Sequence, residues 1–282
     1  MKVVLFCGGL GMRLKEYSET IPKPMATIGY RPILWYVMKY YAHYGHNDFI
    51  LCLGSKSDVI KDYFINYNEC VSNDFVLSSG GRQISLFNSD IQDWKITFVD
   101  TGMTANVGQR LKAVQHHLEG EQVFLANYAD GLTDLPLPAM IEYFHEREAV
   151  ASFVSVKPPQ SWHAVNMDEQ GTVQGVHAIN DANVWMNGGF FVLSQEIFDY
   201  MHEGEELVCE PFQRLIELQK LHAYKYEGFW GCMDTFKEKR RLDDMHANGD
   251  SVWEVWKNEP QHAQPRTVLA NRSRRYNLAR PR

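Results

Sequence analysis

Cysteine is scarce: Cys7, Cys52, Cys70, Cys209 and Cys232 are the five in 282 residues, and their spacing does not resemble a ligand set. That argues against a disulfide framework or a cysteine zinc site and sets an expectation of reduced thiols in the cytoplasm. No apolar run approaches the length of a membrane span, and Met1-Lys2-Val3-Val4-Leu5-Phe6 is too short for a signal-peptide core. Positive charge is not in excess: the formal net charge of −7 argues against a general nucleic-acid binder. Neither common nucleotide motif is present. A P-loop would need Gly-Lys-Ser/Thr at its end, and a dinucleotide fingerprint would need a third glycine where Arg13 or Leu14 stands. There is no internal repeat, no long flexible linker and no Ser–His–Asp or Cys–His arrangement. The eleven histidines are scattered, and none is assigned as a ligand or base.

What is present begins at the first strand. Val3–Phe6 runs into Gly8-Gly9-Leu10-Gly11-Met12-Arg13-Leu14, and Ile21-Pro22-Lys23-Pro24-Met25 follows closely. Glycines at 8, 9 and 11 let backbone N–H groups approach phosphate oxygens. Arg13 could grip those oxygens through a bidentate fork, and Lys23 could place a point charge on a phosphorus under attack. A glycine bend joined to two cations is equipment for holding a triphosphate.

Strand and helix signals then alternate. The pattern predicts a helix from Pro32 to Tyr44, a strand over residues 49–53 and an amphipathic helix from Asp58 to Tyr67. Tyr36, Tyr40, Tyr41 and Tyr44 lie near helical spacing and are expected to pack. Residues 68–94 read as an inserted loop or hairpin turning at Gly80-Gly81-Arg82. The alternation resumes with strand 96–99, helix 109–118, strand 123–126, helix 138–147 and strand 152–156, which predicts an α/β fold with a mainly parallel sheet covered on both faces. The second half mixes in antiparallel strands at 165–167 and 173–176, a strand at 188–193, a helix at 211–221, a strand at 223–226 and a charged helix after Met233-Asp234-Thr235. Ligands of such sheets sit beyond the strand C-termini, where the glycine loop and Asp130 both fall. Residues 266–282 carry six arginines and no acid, which reads as a disordered or subunit-draping tail, or as a contact for an anionic partner.

Asp130 follows an apolar strand and precedes Gly131; alone it could be a turn carboxylate or a helix cap. Asp234 alone could cap the final helix. Together with the glycine loop they offer two carboxylates suited to Mg²⁺ beside phosphates, since magnesium takes a sparse hard-oxygen site and keeps waters. A phosphate oxygen of one substrate could then attack the α-phosphorus of a nucleoside triphosphate, with Lys23 offsetting charge on the α-phosphoryl group and Arg13 holding pyrophosphate. Asn187 and Gly188, at a strand entrance, and Glu210, before Pro211, fit an acceptor pocket, although Glu210 equally suits helix-end electrostatics. Trp185 and Trp230 read either as pocket walls or as core and interface aromatics.

This ordered series over roughly residues 1–257 resembles the sugar-1-phosphate nucleotidyltransferases, and most closely their glucose-1-phosphate cytidylyltransferase branch. The motifs that carry the resemblance are Gly8-Gly9-Leu10-Gly11, Arg13-Leu14, Pro22-Lys23-Pro24-Met25, Pro32-Ile33-Leu34-Trp35, Asp100-Thr101-Gly102, Arg110-Leu111-Lys112, Asp130-Gly131, Asn187-Gly188-Gly189-Phe190-Phe191, Glu210-Pro211 and Met233-Asp234-Thr235. The resemblance implies a Rossmann-like mixed α/β fold, Mg²⁺ dependence, NTP (CTP favoured) and sugar 1-phosphate as substrates, and a homo-oligomer. It implies catalytic roles for Arg13, Lys23, Asp130 and Asp234, with the two aspartates on the metal. Nucleotide contacts would come from Gly8, Gly9, Gly11, Arg13, Lys23, Gly81 and Arg110, and sugar contacts from Asn187, Gly188 and Glu210. Residues 1–257 would form one nucleotidyltransferase domain, with NTP elements mainly in 1–135 and sugar elements mainly in 136–257, followed by the basic tail 258–282.

Two positions depart from the family pattern. Met12 stands where Thr is usual, which removes a hydroxyl near the phosphates. The segment Val176-His177-Ala178-Ile179-Asn180-Asp181 lacks the lysine of the usual Glu-Lys-Pro, which contacts the sugar phosphate. Doing without one charge-assisted hydrogen bond, with nothing in its place, costs about 1.5–3 kcal/mol. His177 is a weaker substitute, or a plain surface histidine. The change marks either a different acceptor or reduced catalysis. The alternatives to an active transferase are a noncatalytic nucleotide-sugar-binding homologue and a polyanion-binding protein using the tail.

Overall fold

The computed structural model describes residues 1–9, 21–159, 162–258 and 266–269. Its strands are β1 (Val3–Phe6), β2 (Thr27–Ile28), β3 (Arg31–Pro32), β4 (Asp48–Leu53), β5 (Phe75–Ser78), β6 (Gln83–Leu86), β7 (Lys95–Asp100) and β8 (Val123–Asn127). They continue as β9 (Gly131–Thr133), β10 (Ala151–Val156), β11 (His163–Met167), β12 (Val173–Ala178), β13 (Met186–Ser194), β14 (Leu221–Tyr226), β15 (Trp230–Cys232) and β16 (Arg266–Leu269). The α-helices among the described residues are α1 (Ile33–His43), α2 (Ser57–Ile65), α3 (Val107–Ala113), α4 (Leu137–Glu146), α5 (Glu210–Glu217) and α6 (Phe236–Ala247).

The central sheet has the order β14-β10-β13-β8-β1-β4-β7. All its strands run the same way except β13, which is antiparallel to both β8 and β10. This is the expected Rossmann-like, mixed and mainly parallel sheet. The reversal of β13 has a consequence for function: its first residues, Met186 and Asn187, share an edge with the C-terminal ends of the other strands.

Both faces of the inner strands are buried, as in β1 and β4, which explains why these strands read as continuous apolar runs. Val3 and Leu5 of β1, Phe49 and Leu51 of β4, and Phe190 and Val192 of β13 pack into a core shared with α1, α2 and α4. The alternate residues Val4, Ile50, Ala126 and Phe191 pack into a second core with Leu111 of α3 and Phe212 and Leu215 of α5. The tyrosines of α1 pack as expected. Tyr36, Tyr40 and Tyr41 are buried, and the hydroxyls of Tyr36 and Tyr40 donate to the carbonyls of Ile28 (2.9 Å) and Leu135 (2.8 Å).

Residues 68–94 do contain a hairpin, β5–β6, turning through Gly80 and Gly81 at positive φ (65° and 81°). The backbone of β16 adds to β6 as a third strand, so part of the basic tail lies in a ladder. Two helices differ from expectation. The helix predicted over 109–118 is split into α3 and a 3-10 turn at Gln115–Leu118, and α3 begins earlier because Asn106 and Gln109 form a reciprocal capping box. The helix predicted to reach Leu221 stops at Glu217: Gln219 takes a φ of 57°, and Leu221 already pairs with Ala151.

Candidate active site

The glycine loop follows β1, whose pairing with β4 extends one residue further through Cys7 N–H to the Cys52 carbonyl (3.0 Å). Beneath Gly8 lies the buried guanidinium of Arg110. It donates to the carbonyls of Gly8 (2.9 Å) and Leu53 (3.1 Å) and to Thr101 Oγ1 (2.7 Å), tying together the ends of β1, β4 and β7. A Cβ on Gly8 would fall 2.0 Å from Arg110 Nη1, so any larger residue there would displace the guanidinium from this position. Arg110, expected among the nucleotide contacts, thus holds the loop from below. Gly9 is exposed, with no described atom within 4 Å of where a side chain would begin. Gly11, Met12 and Arg13 lie outside the described residues.

Lys23 begins a 3-10 turn, Lys23–Met25, in which Pro24 and Met25 are buried and the Lys23 side chain is 16% exposed. Its Nζ lies 2.5 Å from Asp130 Oδ2 and also bonds Asp234 Oδ1. Three residues far apart in sequence are therefore brought to one point, and the local structure explains how. After β8 the chain turns sharply at Ala129, which is buried at a φ of 62° while its N–H donates to Asn127 Oδ1 (2.7 Å). A non-glycine residue is rarely held there, and such backbone strain clusters at functional sites. Asp130 then leads into β9, which pairs with β15 so that Gly131 faces Cys232. The ladder continues through Met233 N–H to the Asp130 carbonyl (2.9 Å), which seats Asp234 beside Asp130.

Asp234 is not the cap of the last helix. Thr235 is: its Oγ1 accepts from Glu238 N–H, and the Glu238 carboxylate accepts from the N–H groups of Asp234 (3.0 Å) and Thr235 (2.9 Å). The Asp234 carboxylate is left to face Lys23. Burial pushes the Asp130 carboxyl up from its ordinary value, and the Lys23 ammonium opposes that rise. Burial alone would draw Lys23 down, but the two carboxylates outweigh it and hold the ammonium above the ordinary lysine value.

Asp130 and Asp234 supply two hard oxygen donors at one point. Among the described residues no group of three or more His, Cys, Asp or Glu converges as a metal cage. Two carboxylates nonetheless fit Mg²⁺, which takes its remaining oxygens from water and phosphate.

On the acceptor side, Asn187 Nδ2 donates to the Tyr128 hydroxyl (3.3 Å), and Asn187 Oδ1 accepts from Gly189 N–H (2.8 Å). The Gly188 carbonyl accepts from Trp230 Nε1 (2.8 Å), joining β13 to β15. Burial, and then the charge of Glu206, raises the pKa of Tyr128. Tyr128, which the sequence does not single out, links the turn carrying Asp130 to the strand carrying Asn187. Glu210 is exposed at the first position of α5, and its Oε2 accepts from Glu206 N–H (3.2 Å). Gly81 sits at the β5–β6 turn, with no described atom within 4 Å of where a side chain would begin.

A family model described as nucleotidyl transferase matches residues 2–235. The chain is 35% identical over 258 residues to the probable glucose-1-phosphate cytidylyltransferase of Bacillus subtilis (strain 168), covering 91% of this chain and 100% of that protein. It is 34% identical over 258 residues to the glucose-1-phosphate cytidylyltransferase of Salmonella typhimurium, with the same 91% and 100% coverage. Among solved structures, UTP-bound UGPase from Acinetobacter baumannii matches with a TM-score of 0.66 at 18% identity, covering 91% of this chain and 96% of that one. This last likeness is one of fold.

Proposed function

We propose, because the chain belongs to the nucleotidyl transferase family, that it transfers a cytidylyl group from CTP to a hexose-like sugar 1-phosphate. A phosphate oxygen of the sugar 1-phosphate attacks the α-phosphorus of CTP. The new P–O bond joins the two phosphates, the bond from the α-phosphorus to its bridging oxygen breaks, and pyrophosphate leaves with that electron pair. No protein nucleophile is needed. CTP and the hexose draw on the two cytidylyltransferase relatives.

The observation that carries this reading is the Lys23–Asp130–Asp234 cluster at the C-terminal edge of the sheet. Lys23 is kept charged by its carboxylates and meets the negative charge that develops on the α-phosphoryl group. Asp130 and Asp234 would hold Mg²⁺, which supplies charge neutralisation between two anionic substrates. Backbone groups around Gly8 and Gly9 receive the triphosphate while Arg110 fixes the loop's position. Arg13 takes the departing pyrophosphate, an assignment that rests on its motif. Asn187, Gly188 and Glu210 orient the sugar.

The test is a matrix of CTP, dTTP, UTP, ATP and GTP against several sugar 1-phosphates, with products read by mass spectrometry. A nucleotide-sugar formed with CTP supports the proposal. Normal NTP binding with no product across the matrix would favour the second reading, a noncatalytic nucleotide-binding homologue, which the missing lysine in residues 176–181 supports.

A further inference from the structure

The functional edge of the sheet carries two cations that the reaction above leaves unused. In the register of the sheet, Ser155 of β10 faces Asn187 on one side and Lys225 on the other. Directly opposed residues on neighbouring strands project from the same face. Lys225 therefore shares a face with Asn187, which reaches the Tyr128 hydroxyl. Lys157 stands two residues beyond Ser155, just past the end of β10, and Trp185 stands two residues before Asn187.

These positions converge on one indole. Lys157 Nζ lies 4.8 Å from the Trp185 ring centroid and Lys225 Nζ lies 5.2 Å from it. Lys157 also donates to the Ala182 carbonyl (2.9 Å), and Trp185 Nε1 donates to Asn183 Oδ1 (3.2 Å), so both are tethered to the segment that precedes β13. Among the described residues neither lysine has a carboxylate within ion-pair distance. An indole face attracts a cation but does not neutralise it. Two ammonium groups gathered on one ring, in a chain of net charge −7, leave a focus of positive potential on the Asn187 face of the site.

We infer that Lys157 and Lys225, gathered on Trp185, bind an oxyanion of the acceptor and make the site selective for an anionic acceptor. The word acceptor rests on the transferase reading above; the anion site rests on the geometry. The oxyanion is either the 1-phosphate or a second acidic group on the sugar, and the two present the same chemistry to a pair of ammonium groups.

Lys157→Met, Lys225→Met and the double variant remove charge while keeping an unbranched chain of similar length over the ring. Binding of glucose 1-phosphate, glucuronic acid 1-phosphate, glucose and CTP to the full-length protein is measured by calorimetry, and the KM of each sugar phosphate is measured beside that of CTP. The double variant is expected to weaken sugar-phosphate binding by about 150-fold or more, about 12-fold or more for each charge-assisted hydrogen bond removed. Glucose and CTP binding stay within about twofold, and the Lys→Arg pair recovers most of the loss.

A loss shared by both sugar phosphates supports the inference and assigns the pair to the 1-phosphate. A loss confined to glucuronic acid 1-phosphate supports it and assigns the pair to the second acid. Binding of both ligands in the double variant within about twofold of wild type overturns it, as does a wild type that binds neither. Sugar-phosphate binding that depends on the lysines in a protein making no product supports this site and sinks the transferase reading. Product formation with an unchanged acceptor KM in the double variant sinks this site alone.

Discussion

The Nζ of Lys23 lies 2.5 Å from Oδ2 of Asp130 while bonding Asp234 on its other side. Lys23→Met removes the charge proposed to meet the α-phosphoryl group, and the expected fall in kcat is about 100-fold to 1000-fold. It also leaves two carboxylates facing each other, with a stability loss at or below the about 3–5 kcal/mol typical of a broken buried pair. Steady-state kinetics and urea unfolding read the two effects separately. A kcat within tenfold of wild type would remove Lys23 from the mechanism.

The same pair predicts a pH dependence. Burial opposes the Lys23 charge, but its carboxylates raise the pKa above the ordinary 10.5. A cation whose pKa is raised on folding stabilises the fold below its unfolded pKa and loses that contribution as pH rises through the folded value. The stability gap between wild type and Lys23→Met should be full at neutral pH and should narrow only above pH 10.5. A gap that closes between pH 7 and pH 9 would contradict the pairing, as chemical denaturation across that range would show.

Asp234 and Thr235 are adjacent yet do different jobs, so they can be separated. Thr235→Ala removes a helix cap and should cost about 0.5–2 kcal/mol of stability with turnover largely kept. Asp234→Asn should leave the cap intact, raise the Mg²⁺ concentration needed for half-maximal activity and lower kcat by about 10-fold to 100-fold, as expected when one charged ligand is removed. If Asp234→Asn behaved like Thr235→Ala, Asp234 would be structural.

Gly8→Ala would place a methyl group on the Arg110 guanidinium, 2.0 Å from Nη1 in the present geometry. The guanidinium must shift away from its three acceptors, so the variant should raise the KM for NTP and lower stability by about 1–3 kcal/mol. Arg110→Lys should show the same pattern, because a point charge cannot reach Gly8, Leu53 and Thr101 together. Normal stability with impaired NTP binding in Arg110→Lys would instead make Arg110 a direct nucleotide contact.

Cys232 reports on the charge around Asp234. Burial, followed by the charges of Glu238, Asp234 and Asp130, pushes its thiol up to about 12. At pH 8 iodoacetamide should label exposed Cys209 well before Cys232. Asp234→Asn removes one of those charges and should speed Cys232 labelling, which peptide mass spectrometry would follow. An unchanged rate would mean that Asp234 does not act on this thiol.

Much of the fold was legible from its repeating strand–helix pattern, because strands buried on both faces leave apolar runs such as Val3–Phe6 and residues 49–53. The carboxylates were legible one at a time, each beside a strand or helix boundary. That they share one site was read from the pair and from the family resemblance; the route by which they meet was not, because it depends on β9 and β15, whose pairing spans Gly131–Thr133 and Trp230–Cys232 and is too short to show a period. Arg110 was visible as a cation, but only the structure shows that the missing Cβ of Gly8 opens the space its guanidinium fills. Asn187 read as a strand entrance; the reversal of β13 is what brings that entrance to the ligand edge. The row through Lys225, Ser155 and Asn187 is a matter of register, which local sequence does not encode.

The most direct test follows pyrophosphate and nucleotide-sugar together in reactions containing Mg²⁺, CTP and a panel of sugar 1-phosphates. Equimolar CDP-sugar and pyrophosphate are expected, formed only when both substrates are present and suppressed in Lys23→Met. Folded protein that binds CTP but yields neither product across the panel would contradict the transferase reading.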